Sequence, residues 1–226
     1  MQPTQECDVV REKRLEVSWT DHHASCIFEP FPTNELLSKP SLRTSYEDYK
    51  IARTSWPLSP SCWKLLFESE FTDFILSLLG PSAVLFNEQY IIKPSRSGDS
   101  SRFAWHRDSD YGDFQRPFSF LSVWLCLDDV SESNGCLVIC PESHRYESSE
   151  SVEMKRTPPV NDLLIKNALE IQAGSAVLLV NSVVHGSGGN SSAFSRRVWM
   201  PQFSAQPVLR DSNGQLAALA IPLRRA

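Results

Sequence analysis

Two histidines and one aspartate in this chain have the residue types and the order of a metal-binding set. His106 and Asp108 form a His-x-Asp motif at the end of a β-rich stretch, and His185 stands much later, at the end of another apolar run. Residues i and i+2 of a β-strand point to the same side, so the imidazole and the carboxylate of the motif can converge on one ion. Two imidazoles and one carboxylate predict an Fe(II) site with three coordination positions left open.

An arginine downstream of the second histidine extends this chemistry. Arg196 begins the apolar run RRVWMPQFS, and a Gly- and Ser-rich segment separates it from His185. Three open positions suit O2 and a bidentate 2-oxo acid, and a second carboxylate on that acid would need a fixed cation such as the planar guanidinium. The alternative is that Arg196 and Arg197 lie on the surface of a sheet edge. Strand alternation lets only one of the two face inward.

The composition is that of a globular protein and excludes several classes of partner. The chain has 226 residues, of which 41% are hydrophobic and 22% charged, so it can bury one sizeable core. Its net charge is -5, and no stripe of Lys and Arg interleaves with aromatic residues, which argues against nucleic acid. No run of about 18 apolar residues occurs, so no membrane span is expected. We expect a small-molecule substrate, and the pattern predicts no oligomeric state.

The ends of the chain and its cysteines predict a reduced, cytoplasmic protein. The first residues contain no apolar stretch of signal-peptide length, and the final Leu-Arg-Arg-Ala is not the SKL peroxisomal signal. The six cysteines include no CxxC pair. Cys136 and Cys140 could form half of a zinc site, but no second pair stands at zinc-ligand spacing, so buried thiols are the favoured interpretation.

The hydrophobic pattern predicts a mainly β fold with flanking helices. Residues 59 to 79 place apolar side chains at helical spacing, and Gly80 and Pro81 end this helical segment. After residue 82, at least six β-rich runs without a long intervening helix predict an antiparallel barrel or jelly roll. A short helix is possible at Asn161 to Leu169. The predicted organisation is an irregular and helical N-terminal segment (1–82) and a barrel domain (83–226) that ends in a hairpin with a turn at Ser212, Asn213 and Gly214.

Three blocks of sequence resemble the phytanoyl-CoA dioxygenase superfamily, which includes ectoine hydroxylase. The blocks are IIKPSRSGDSSRFAWHRD, DDVSESNGCLVICPESHR and HGSGGNSSAFSRR, and they stand in the family's order between about residues 86 and 204. The resemblance implies a double-stranded β-helix (a cupin-like jelly roll) and a dioxygenase that uses Fe(II), 2-oxoglutarate and O2, with ascorbate as a supporting reductant. It implies hydroxylation of an aliphatic C–H in a small or lipid-like substrate, with succinate and CO2 as co-products.

The same resemblance assigns roles to particular residues. It places the iron ligands, which are also the catalytic set, on His106, Asp108 and His185, and the co-substrate cation on Arg196. Three further positions could line the 2-oxoglutarate pocket: Gln89, Trp124 and Ser187. Trp124 could equally be barrel core, and Gln89 could satisfy buried backbone groups. His144 is expected to be structural, and the basic residues available for a CoA phosphate are the scattered Lys93, Arg96 and Arg102.

Two other functions fit parts of the pattern. A non-catalytic jelly-roll protein could keep a metal or ligand pocket without turnover, because one fold hosts many functions. A metal-dependent isomerase of the cupin kind is the other alternative. Neither needs an open three-ligand site together with a deep cation, so the full set of four residues favours the dioxygenase. The carboxylate of Asp108 occupies the place that a halide would need, which favours hydroxylation over halogenation.

Overall fold

The structure is a computed structural model that describes residues 16–17, 26–29, 38–54, 64–67, 70–110, 114–115, 119–145 and 167–224. Its α-helices include α1 (Tyr46–Thr54) and α2 (Glu70–Leu79), and residues 64–67 are also helical. Its strands are β1 (Glu16–Val17), β2 (Cys26–Glu29), β3 (Val84–Lys93), β4 (Phe103–His106), β5 (Phe120–Cys126), β6 (Leu137–Ile139), β7 (Asn167–Leu169), β8 (Ala176–Val180), β9 (His185–Ser187), β10 (Arg196–Ser204) and β11 (Ile221–Pro222). Within these residues no helix has the length and apolar character needed to cross a membrane.

The described strands form two sheets. The larger has seven strands in the order β1-β2-β3-β10-β5-β8, with β11 paired to β3. The smaller has four strands in the order β4-β9-β6-β7, and its neighbouring strands are antiparallel. The abundance of strands agrees with the predicted mainly β architecture.

By compactness the chain divides into two units. The first comprises residues 1–29, 89–111 and 123–200, and the second comprises residues 30–88, 112–122 and 201–226. The predicted division into segments 1–82 and 83–226 stays a prediction.

The core of the first unit gathers side chains from the strands around the candidate site. Its fully buried members are Trp124, Cys126, Val130, Cys136, Leu137, Leu179 and Val198. Removing a large apolar side chain from water contributes roughly 1.5–3 kcal/mol, so this cluster anchors β5, β6, β8 and β10. Cys126, Cys136 and Cys140 are buried free thiols, as the sequence predicts.

The second unit has its own aromatic core and a buried polar pair. The Phe86 ring packs on Phe114 and Phe120, with centroids 5.8 and 5.1 Å apart. The Tyr49 hydroxyl of α1 donates to the Glu88 carboxylate of β3 at 2.8 Å, so a buried acid is satisfied by a buried phenol. The helical segment around residues 64–67 and α2 falls where the apolar spacing predicts it, and α2 ends at Gly80, whose φ of 94° only glycine adopts easily.

Two predicted elements differ from the structure. Asn167–Leu169, at the end of the possible helix, is strand β7 because it pairs with β6, and residues 161–166 lie outside the described part. The run LAALAIPL contains only the two-residue strand β11, since the Arg43 guanidinium takes the carbonyls of Leu216 and Ala218. The hairpin turn itself is present, with Leu209 bridging Leu216 and Gly214 at positive φ.

Candidate metal and oxo-acid site

The two histidines of the predicted set face each other across paired strands. His106 is the last residue of β4 and His185 the first residue of β9, and the two are cross-strand partners. The His106 Nδ1 lies 2.7 Å from the Ala104 carbonyl oxygen, and the His185 Nδ1 lies 3.0 Å from that of Val183. A carbonyl only accepts, so each Nδ1 carries the proton and each Nε2 presents a lone pair. This is the arrangement in which backbone carbonyls orient imidazoles for a metal.

Asp108 joins them from a different kind of element than the sequence predicts. The strand ends at His106, and Asp108 begins a 3-10 turn, Asp108–Asp110. The prediction that His106 and Asp108 point to the same side of one strand is therefore wrong. The chain turns after His106, and this turn places the Asp108 carboxylate beside the two imidazoles. The Asp108 Oδ1 lies 3.7 Å from the His106 Nε2 and 3.5 Å from the His185 Nε2.

The three ligand atoms fit a single ion. They lie within 4.8 Å of one another, and the side chains are largely shielded, with 16%, 11% and 8% exposure for His106, Asp108 and His185. Burial, and then the neighbouring His185, lower the pKa of His106, which keeps its imidazole neutral and able to coordinate. The nitrogen and oxygen donors of this set suit Fe(II).

Arg196 supplies a buried cation with unused donors. It is the first residue of β10, is 1% exposed, and donates from Nη2 to the Gly135 carbonyl at 3.0 Å. Its Nε and Nη1 are buried and have no hydrogen-bond partner in the described part of the chain. Orphaned buried donors are rare and call for an explanation. A carboxylate that received both would match the planar fork of the guanidinium.

The neighbouring Arg197 shows how the strand selects between the two arginines. Its backbone N, Nε and Nη2 all donate to the Asp128 carboxylate, at 2.8, 2.9 and 2.6 Å. That pairing fixes the start of β10 with Arg197 on one face, so Arg196 turns to the other, as strand alternation requires.

No carboxylate among the described residues forms an ion pair with Arg196, and Asp128, which attracts its charge, is hydrogen-bonded to Arg197. Burial lowers its pKa to about 10, so the guanidinium stays positive at neutral pH. Burial raises the pKa of the Cys126 and Cys136 thiols, which therefore remain neutral beside it. The aromatic face of Trp124 lies 5.2 Å from the guanidinium carbon, a distance at which the ring attracts the cation.

Lys93 is a second buried basic residue of the site, and the sequence does not predict its burial. The sequence pattern groups Lys93 with Arg96 and Arg102 as a contact for phosphates, but Lys93 is 0% exposed whereas the two arginines are exposed. From the end of β3 its Nζ donates to the Ser187 hydroxyl at 2.7 Å and to the Gly188 carbonyl. The signal was present: Ile91, Ile92 and Lys93 form a run buried on both faces of the strand, where a solvated lysine has no place.

A glycine lies against both Lys93 and Arg196. Gly135 has φ 82°, and its carbonyl receives the Arg196 Nη2. A β-carbon at this position would lie 2.5 Å from the Gly188 oxygen and 3.0 Å from the Lys93 Cδ. Any other residue at position 135 would force its β-carbon against the Gly188 oxygen and the Lys93 side chain, so this close approach requires glycine.

The secondary site predictions meet different surroundings. Trp124 is buried against Arg196, and Ser187 is buried and accepts a hydrogen bond from the Lys93 amine, so each lies beside one of the two basic residues. Gln89 lies half-buried on β3, and its place in a pocket stays a prediction. His144 is exposed on the 3-10 turn Ser143–Arg145, consistent with a role apart from the metal set.

Comparison with known proteins assigns a family to this arrangement. Residues 5–198 match the family model described as phytanoyl-CoA dioxygenase (PhyH). The Bos taurus protein named phytanoyl-CoA dioxygenase, peroxisomal, is 27% identical over 139 residues, which are 57% of this chain and 41% of that protein. The chain spans about half the length of the curated relatives it matches.

Two solved structures share the fold. One is EctD from S. alaskensis with 2-oxoglutarate and 5-hydroxyectoine, at 19% identity and a TM-score of 0.57, covering 94% of this chain and 92% of that one. The other is the epimerase SnoN from nogalamycin biosynthesis with Fe3+, α-ketoglutarate and nogalamycin RO, at 15% identity and a TM-score of 0.63, covering 92% and 74%. The predicted mainly β jelly roll is confirmed. With a family model matching most of its length and a cluster of His106, Asp108 and His185 that could hold a metal ion, the chain belongs to the phytanoyl-CoA dioxygenase (PhyH) family.

Proposed function

We propose that this chain is a non-haem Fe(II)- and 2-oxoglutarate-dependent dioxygenase that acts as a hydroxylase. The observation that carries the proposal is the pairing of an open three-ligand cluster with the buried, partly unpartnered guanidinium of Arg196. A protein that only bound a metal would have no need of a 1% exposed arginine with two orphaned donors. Family membership and the two structures with α-keto acids bound support the same assignment.

The residues divide the work of holding the two cofactors. His106, Asp108 and His185 hold the iron, and His106 and His185 are kept in the coordinating tautomer by the Ala104 and Val183 carbonyls. Arg196 binds the distal carboxylate of 2-oxoglutarate through Nε and Nη1. Bound Fe(II) supplies the activation of O2 for attack on a C–H bond.

Other side chains of the site orient the co-substrate and exclude water. Trp124 covers one face of the guanidinium, and Ser187 fixes the Lys93 amine. We also propose that Gln89 lines the pocket for 2-oxoglutarate. A dry surrounding strengthens the charge pairing of Arg196 with a carboxylate.

The finer proposal concerns the prime substrate. We assign an aliphatic C–H of a small or lipid-like molecule, supported by the name of the bovine relative and by the 5-hydroxyectoine in the EctD structure. The burial of Lys93 removes it from contact with a CoA phosphate, which leaves Arg96 and Arg102 as exposed candidates. The cytoplasmic location stays a prediction.

Anaerobic titration of the Fe(II)-loaded protein with 2-oxoglutarate tests the proposal. Chelation of iron by an α-keto acid gives a weak visible charge-transfer band, which we expect in the wild type and not in His106→Ala. His144→Ala is the matched control, because His144 is exposed and stands apart from the cluster. Bound Fe(II) without any band on addition of 2-oxoglutarate would contradict the proposal and favour a non-catalytic binding protein.

A further inference from the structure

Lys93 is a buried amine in an environment that suits its neutral form. Its side chain is 0% exposed, and no carboxylate among the described residues forms an ion pair with it. The Gly188 carbonyl receives one N–H, and the Ser187 hydroxyl can either receive another or donate its own hydrogen to an amine lone pair. These two contacts satisfy a neutral amine as well as an ammonium.

Lys93 and Arg196 approach the same turn from two strands. Arg196 donates to the Gly135 carbonyl, and the Lys93 Cδ lies 3.0 Å from the position a β-carbon would take on Gly135. The positive charge of Arg196 is therefore already present beside the place where a Lys93 ammonium would form. Repulsion between like charges in a dry site favours keeping only one of them charged.

We propose that the Lys93 amine takes up one proton from solvent when the distal carboxylate of the 2-oxo acid enters beside Lys93 and Arg196. The inference rests on the proposed function for its ligand. The step balances simply: Lys93 gains H⁺ from water or buffer, the carboxylate stays an anion, and no bond of the ligand breaks.

The groups facing Lys93 explain why the proton arrives with the ligand. Burial first, and then Arg196, lower the pKa of Lys93 to about 6, so the free protein holds mostly neutral amine at neutral pH. The Cys136 thiol is neutral because its own pKa is raised, and Ser187, Gly188 and the Phe103 ring carry no charge. An arriving carboxylate is then the anion that favours the ammonium form.

Calorimetric titration with 2-oxoglutarate measures this proton directly. The Fe(II)-loaded protein is titrated anaerobically at about pH 7.5 in phosphate and in Tris, whose ionisation enthalpies differ, so the difference in heat gives the protons taken up per ligand bound. We expect uptake of about one proton by the wild type, and a value lower by nearly one in Lys93→Met. Lys64→Met, at an exposed lysine, should match the wild type.

The pH dependence of affinity gives a second readout. Linkage requires the Kd of the wild type for 2-oxoglutarate to rise by about tenfold per pH unit between the pKa of the amine in the free protein and its higher pKa in the complex, and that of Lys93→Met to rise less. Binding with the same proton uptake in the wild type and Lys93→Met would overturn the inference and leave the proposed function standing. Absence of 2-oxoglutarate binding to the iron-loaded wild type would overturn both.

Discussion

Replacing Arg196 by methionine should abolish most of the affinity for 2-oxoglutarate while leaving the fold intact. Methionine replaces the apolar stem of the arginine and lacks the guanidinium, so the change removes the charge and all of the donors, including the one to the Gly135 carbonyl. The free wild type already bears the cost of a 1% exposed guanidinium with two unsatisfied nitrogens. The variant also loses the hydrogen bond to the Gly135 carbonyl, so the two effects oppose each other and thermal unfolding of the iron-free variant should occur near the temperature of the wild type.

The expected loss follows from the two donors that the protein leaves unused. Nε and Nη1 can each make a charge-assisted hydrogen bond to the distal carboxylate, worth about 1.5–3 kcal/mol. The sum, ~3–6 kcal/mol, corresponds to an increase in Kd of roughly two to four orders of magnitude.

Anaerobic calorimetry on the iron-loaded proteins measures this Kd without requiring turnover. Arg197→Met is the matched control, because Arg197 lies next in sequence but pairs with Asp128 on the other face of β10. A Kd for Arg196→Met within about threefold of the wild type, or an equal loss in Arg197→Met, would refute the assignment of Arg196.

Three further changes probe the rest of the site. Asp108→Ala should weaken Fe(II) binding by more than about a hundredfold in a competition titration, because loss of a residue that only hydrogen-bonds to a metal ligand already costs ten- to a hundredfold. Asp110→Asn is the control. Equal Fe(II) affinities of the two variants would exclude Asp108 as a ligand. Gly135→Ala should lower the free energy of unfolding by more than the ~1–2 kcal/mol that a left-handed backbone costs, since the new β-carbon would meet the Gly188 oxygen. Gly174→Ala is the control, because Gly174 has φ 85° and open space around it, so only the backbone cost is expected there. Equal losses of the two variants in denaturant melts would contradict the close approach at Gly135. In the iron-free protein Lys93 is protonated below its ordinary pKa of 10.5 when the chain is unfolded, but only below about 6 when it is folded. The free energy of unfolding should therefore rise with pH between these two values by up to ~1.4 kcal/mol per unit, and Lys93→Met should remove that contribution. Identical pH profiles of stability in the two proteins would show that Lys93 is not buried as an amine.

Much of the architecture could be predicted because strand and helix patterns are local. Helical spacing of apolar residues over 64–79 indicates a helix with one buried face. The β-rich runs after residue 82 indicate strands with one or both faces buried. Likewise, the alternation of Arg196 and Arg197 is fixed by the two-residue period of β10.

The rest depends on contacts between distant segments. The run at residues 216–220 is apolar like a strand, but the Arg43 side chain from elsewhere in the chain takes its carbonyls. Lys93 resembled a loop cation because its burial arises from Ser187, Gly188 and Gly135, far away in sequence. Asp108 was placed on a strand because its turn is a feature of only three residues.

The cross-strand pairing of His106 with His185 has a kinetic consequence. The separation of the two imidazoles is set by the hydrogen-bonded ladder of β4 and β9, whereas Asp108 stands on a single 3-10 turn. The Asp108 Oδ1 already lies 3.7 and 3.5 Å from the two Nε2 atoms, so little side-chain conformational entropy is lost when an ion binds. We expect release to begin with opening of the Asp108–Asp110 turn, which breaks the 3.0 Å hydrogen bond from the Ser109 amide to the Asn181 carbonyl, and hydrogen exchange of the Ser109 amide measures this opening.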